Sequence, residues 1–185
     1  MFRKLTQDRE DRQAQAAAMS RDEFWRIVEG LNDEASAPPD KEVLLRSWLA
    51  KADPATLRVF DDHLQDLVDA AYRWPLWAAA HILHGDCADD CFTHFRGCLV
   101  FMGRAVYDAA CADPDTLSQL DDRVLRGLFH EGLLYVAMDV YEETTGGVIE
   151  RSKPSPVIPT GEPCDETDPE ELAARCPDLW RRFGR

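Results

Sequence analysis

The feature that most constrains this chain is one apolar stripe. Leu57, Phe60, Leu64, Leu67, Val68 and Ala71 recur at the three- and four-residue steps of an α-helix, with Asp62, Asp66, Asp69 and Arg73 opposite. Asp53 followed by Pro54 supplies its start, a capping carboxylate and then a proline at the first helical position. Such a stripe is buried only if other apolar helices cover it.

The rest of the sequence supplies them. Ser20 and Glu23 have capping-box spacing and precede Phe24, Trp25, Val28 and Leu31. A helix from about Lys41 to Lys51 is expected to bury Val43, Leu44, Trp48 and Leu49. Trp74 before Pro75 marks a turn, and Pro75 opens a helix that Gly85 ends. A long helix is expected from about Asp90 to Cys111, with Cys91, Phe95, Leu99, Met102, Val106 and Ala109 as its buried stripe. Another, apolar over more than half its circumference, is expected from Asp122 to Thr145 near the centre of the bundle, closed by Gly146 and Gly147.

The four prolines of residues 152–163 make that segment an extended surface strap. Thr167 or Asp168 then caps a last helix opened by Pro169, and Leu179, Trp180 and Phe183 anchor the end. Only residues 146–150 read weakly as strand. The expectation is an all-α, single-domain bundle of about six helices over residues 20–183, with a proline-rich strap and a short C-terminal helix. Residues 1–19 read as a polar tail.

Charge narrows the partner. The 185 residues hold 35 acidic and 21 basic side chains, a formal net charge of −14. That sign opposes nucleic acid and an anionic membrane surface, and suits a basic protein. The N-terminal residues mix acids and bases without an apolar run, and no stretch is long enough to span a bilayer, so the expected compartment is the cytoplasm. The six cysteines are expected to be reduced. Cys91 and Cys98, seven residues apart on one helix, are separated by about 10 Å of rise, beyond a disulfide's reach of about 7 Å. Cys87, Cys91, Cys98 and Cys111 read as small core residues.

The runs at 22–29, 67–117, 131–146 and 177–183 together resemble the family designated domain of unknown function 4240. The succession Trp74-Pro75, Asp89-Asp90, Phe95-Arg96 and Gly103-Arg104 carries the resemblance. It implies one domain in a bacterial, often actinobacterial, family and supplies no reaction. His81, His84, Cys91 and His94 depart from the family pattern.

Three constellations can carry chemistry. His84, Cys87, Cys91 and His94 are the best-spaced zinc ligands in the chain, but Cys91 falls on an apolar stripe, and neither a structural metal nor a cofactor is expected. Asp86, Asp89 and Asp90 cluster before a helix, where Asp89 has the place of a cap and all three favour the positive helix end. Arg96, placed near Tyr107, and Arg104, placed above Gly97, join these acids as candidate ligand-binding residues. Glu131, on a stripe with Val124, Leu128, Tyr135 and Met138, joins Asp89 as a candidate base.

Glycine-rich phosphate loops, nucleophile elbows and H-E-x-x-H are missing, which argues against the common motif-bearing enzymes. The reading that follows is a non-enzymatic, immunity-like acidic protein that binds a basic partner. The stripe Asp62, Asp66 and Asp69 and the cluster Glu162, Asp165, Glu166, Asp168, Glu170 and Glu171 form its negative surface. The rival is a small enzyme or ligand-binding protein with a carboxylate and arginine site between the long helices.

Overall fold

A computed structural model of the chain describes residues 19–151 and 153–184. The tail expected at 1–19 therefore lies outside the described residues, except for Met19, whose carbonyl oxygen is 2.8 Å from His63 Nε2. The fold is all-α, with ten α-helices and no strand among the described residues. They are α1 (Arg21–Glu34), α2 (Pro38–Leu49), α3 (Pro54–Ala70), α4 (Trp74–His84), α5 (Asp89–Val100), α6 (Arg104–Ala112), α7 (Asp122–Arg126), α8 (Val136–Thr145), α9 (Pro169–Arg175) and α10 (Pro177–Phe183).

The helix starts follow local chemistry. Ser20 and Glu23 close the capping box of α1, Asp53 accepts from the Ala55 and Thr56 amides of α3, and Asp168 accepts from Glu170 and Glu171 at the start of α9. The striped helix α3 is the hub, packed against α1, α5 and α8. Phe24, Phe60, Phe92, Phe95 and Phe101 are fully enclosed in the single core between these helices.

The bundle has more helices than expected because both long helices break at glycines. The first stops at Val100, and Gly103 takes φ +95°, a conformation that other residues reach only with strain, before α6 begins. The expected 122–145 helix is instead α7, two 3-10 turns at Gly127–Phe129 and Gly132–Leu134, and then α8. Helix α2 presses on this stretch. A Cβ on Gly127 would lie 2.9 Å from Pro38, and Glu42 pairs with His130 at 2.6 Å. The short turns admit that close approach, which a continuous helix with side chains there would not.

Helix α2 is also rotated from the expected face. Leu49 is buried as expected, but Lys41 and Leu45 join it, while Val43 and Trp48 are exposed and Leu44 is half-buried. Lys41 Nζ donates to Phe101 O at 3.2 Å, so its stem packs inward while its charge meets a carbonyl just past the end of α5.

Residues 151 and 153–163 form a strap without helix. Thr160 N–H donates to Tyr72 O at 2.9 Å, and Trp74 N–H donates to Thr160 O at 3.0 Å. Arg151 pairs with Asp69 and Lys153 with Asp66, tying the strap to the acidic face of α3. No helix among the described residues is long and apolar enough to cross a membrane.

Candidate functional site

The strap, α3, α5 and the chain from Leu134 to Met138 enclose a cavity of about 410 Å³. Two of the candidate ligand-binding residues, Asp89 and Arg96, line it together. Asp61, Asp69, Tyr72 and Tyr135 complete its polar wall with Arg151 of the strap.

One end is organised by Arg96, which is 7% exposed. Its Nη1 donates to Val68 O at 2.9 Å, one of the last carbonyls of α3. Nε donates to Phe92 O at 3.3 Å and Nη2 to Thr93 Oγ1 at 3.0 Å. The guanidinium also lies over the Tyr72 and Phe92 rings, 4.5 and 5.0 Å from their centroids. Burial pulls its pKa down, against the support of Tyr72, Asp69 and Asp89. An arginine stays charged under such conditions, so this is a cation that caps α3 from within the protein. Burial chiefly, and then the Asp89 carboxylate, pushes the Tyr72 phenol up, against the pull of Arg96.

The other end is organised by Asp61, which is 2% exposed. Its Oδ1 is buried with no hydrogen-bond partner among the described residues. Burial pushes its carboxyl group up from 3.8 to about 6, with Asp62 adding to the rise; Gln65, one turn on, and Arg151 work against it. The Arg151 guanidinium is itself held by Asp69 at 2.6 Å.

The remaining sequence candidates lie elsewhere. Asp89 is not the cap of α5: Ala88 holds that position without a side-chain bond, and Asp89 is the first helical residue. Asp90 is exposed, and Asp86 rims a separate cavity with His81 and Glu166. Arg104 is a surface residue paired with Asp22 at 3.1 Å, and the space beside Gly97 is filled by Leu134 instead. Arg96 sits by Tyr72 rather than Tyr107, whose hydroxyl donates to Leu67 O at 2.8 Å. Glu131 is exposed at the turn before Gly132, because the helix that would have turned it inward is broken there.

The cysteine reading needs one correction. Cys87 and Cys91 are joined in a disulfide with their Cα atoms 5.2 Å apart. The pair is feasible because Cys87 is in the loop before α5 and Cys91 in its first turn, so the rise of a continuous helix does not separate them. The other four are free, and burial pushes the Cys98 and Cys176 thiols up to about 12. With Cys87 and Cys91 bonded to each other, His84 Nδ1 lies 2.6 Å from Asp86 O and His94 packs edge-on to Tyr135. Among the described residues, no group of three or more His, Cys, Asp or Glu is placed to hold a metal ion.

Sequence reasoning missed Asp61, the most buried acid of the site. The signal was present, since Asp61 follows Leu57 by four residues and precedes Leu64 by three, which puts a carboxylate on the edge of the apolar stripe.

Fold and site together define an all-α domain with a charged, partly aromatic pocket under a strap. The sequence pattern of a protein family of unknown function, DUF4240, matches residues 19–143. The chain belongs to that family. No curated protein and no solved structure matches it.

Proposed function

We propose that this protein is a non-enzymatic, cytoplasmic binding protein whose acidic surface receives a basic protein partner, in the manner of an immunity or regulatory protein. The observation that supports this best is the pocket under the strap. Asp61 and Asp89 face it beside Asp69, which is paired with Arg151, and Arg96 is engaged by oxygens of the protein. In a chain of net charge −14, a basic partner is drawn in at long range and the attraction weakens with salt.

The α3 stripe contributes less than its sequence implies. Asp66 is paired with Arg21 and Lys153, and Asp69 with Arg151. Exposed Glu162 and Glu170 near the C-terminus, together with Asp89, are the acids on which the reading leans.

The test is isolation from the native host at low ionic strength, followed by a salt step and sequencing of what elutes. A basic protein is expected, with at least tenfold weaker retention by a variant carrying Asp89→Asn, Glu162→Gln and Glu170→Gln. Retention of nothing basic, or retention indifferent to those substitutions, overturns the reading.

A second reading is favoured by one observation. A carboxyl group brought to about 6 in a cavity is also what proton transfer near neutral pH requires. A small enzyme with Asp61 or Asp89 as base would need Arg96 to hold an anion, and each nitrogen of Arg96 already donates to the protein. Saturable binding of inorganic phosphate or acetate, lost in Arg96→Lys, would favour the enzyme.

A further inference from the structure

The geometry points to the pocket under the strap as a receptor for a single cationic nitrogen on an apolar stem, a lysine or arginine side chain of the partner, with Asp61 Oδ1 as its anchor. This rests on the reading of the protein as a receptor for a basic partner and names the group that enters.

Two independent observations converge. The first is the unpaired oxygen. Asp61 is 2% exposed, its Oδ1 has no hydrogen-bond partner among the described residues, and the residue lines the cavity. A buried acceptor left open costs the fold stability unless a donor arrives, and a charged donor offsets that cost best. The second is the shape and lining of the space. At about 410 Å³ it is at the small end for a ligand site, suited to one side chain or a short amine. Val68, Leu134 and Met138 offer an apolar path for a stem, and Tyr135 adds an aromatic ring.

An anion is the poorer occupant. Each nitrogen of Arg96 already makes one bond, to Val68 O, Phe92 O or Thr93 Oγ1, its plane is covered by the Tyr72 and Phe92 rings, and Arg151 is paired with Asp69. The charged and titratable groups around Asp61 are Asp62 and Asp69 on its own helix, Tyr72 just past the end of that helix, Arg151 from the strap, Tyr135, and Asp89 with Arg96 on α5. Acids outnumber bases there, so a cation is favoured once the Asp61 carboxyl group is ionised.

Titration calorimetry of the full chain at pH 7.5 tests this with four probes: n-butylammonium, n-butylguanidinium, n-butanol, and a capped Ala-Lys-Ala peptide. One-site binding of both cations is expected, with n-butanol at least tenfold weaker. The peptide is expected to bind more tightly than n-butylammonium, because the partner's backbone contacts the rim. Affinity for the cations is expected to fall at least tenfold in Asp61→Asn, with folding checked by circular dichroism. It is also expected to fall at least fivefold at pH 5 in the unsubstituted protein, which involves no substitution. Cation binding unchanged in Asp61→Asn and at pH 5, or binding of n-butanol as tight as the cations, overturns the proposal. Free amine binding more tightly than the peptide overturns the assignment to a protein side chain and makes the ligand a small amine. If the cations fail while the host's basic protein is still retained, the pocket proposal falls and the general reading survives; if both fail, both fall.

Discussion

The two ends of the pocket hold buried charge in opposite ways. At one end Arg96 donates from every nitrogen to Val68 O, Phe92 O and Thr93 Oγ1, and its plane is covered by the Tyr72 and Phe92 rings. At the other, Asp61 is more deeply buried, yet one of its oxygens meets nothing. A charge with a bond from every nitrogen belongs to the architecture, here the C-terminal end of α3. A charge left half-bonded at comparable burial is a cost the fold carries, and a cost carried beside a cavity marks where a ligand group is expected.

The comparison breaks most visibly if Arg96 can be removed cheaply. Arg96→Met strips the cap from Val68 O and the cation from two aromatic faces. The expected loss is on the order of 4 kcal/mol, read from the denaturation midpoint. A loss under about 1 kcal/mol would deny Arg96 its structural role.

The substitution at Asp61 sharpens the contrast by changing stability in the other direction. Its folded-state value of about 6 lies above the unfolded 3.8, so between the two the folded protein binds the extra proton. Stability from this group therefore falls as pH rises from about 4 to 6 and stays lower above. The full shift corresponds to roughly 3 kcal/mol. Asp61→Asn is expected to recover about 2 kcal/mol of it at pH 8, since an amide in the same place still leaves an oxygen unpaired. At pH 4 the two proteins are expected to unfold at nearly the same temperature. A variant less stable than the original at pH 8 would mean that Asp61 is already stabilised as an anion.

Much of the fold was legible in the sequence because its starts and stripes obey local rules. Ser20, Asp53 and Asp168 cap the helices that they precede, and the α3 stripe is buried as its spacing requires except at half-buried Leu67. The breaks at Gly103 and at 127–135 were not, because an apolar stripe runs on through a glycine in sequence while the backbone turns there in space. Helix α2 misled in another way: its apolar side chains do not all face inward, and Lys41 reaches the core by its stem.

The site was half legible. Asp89 and Arg96 are seven residues apart on one helix, two turns along the same face, so their joint approach to one cavity follows from local geometry. Asp61, Arg151 and Tyr135 come from α3, the strap and the turn before α8, and their meeting depends on how those elements pack. Arg104 and Glu131 were misplaced for the same reason that the long helices were: each was positioned on a helix that does not continue.

The most direct test of a carboxylate kept half-bonded for a cation is the titration of Asp61 itself, followed by carbon NMR of its labelled carboxyl group. In the free protein the midpoint is expected near 6, and saturating n-butylammonium is expected to bring it down to the ordinary aspartate range near 4. A free-protein midpoint already at or below 4, or a midpoint near 6 that the cation does not move, would contradict it.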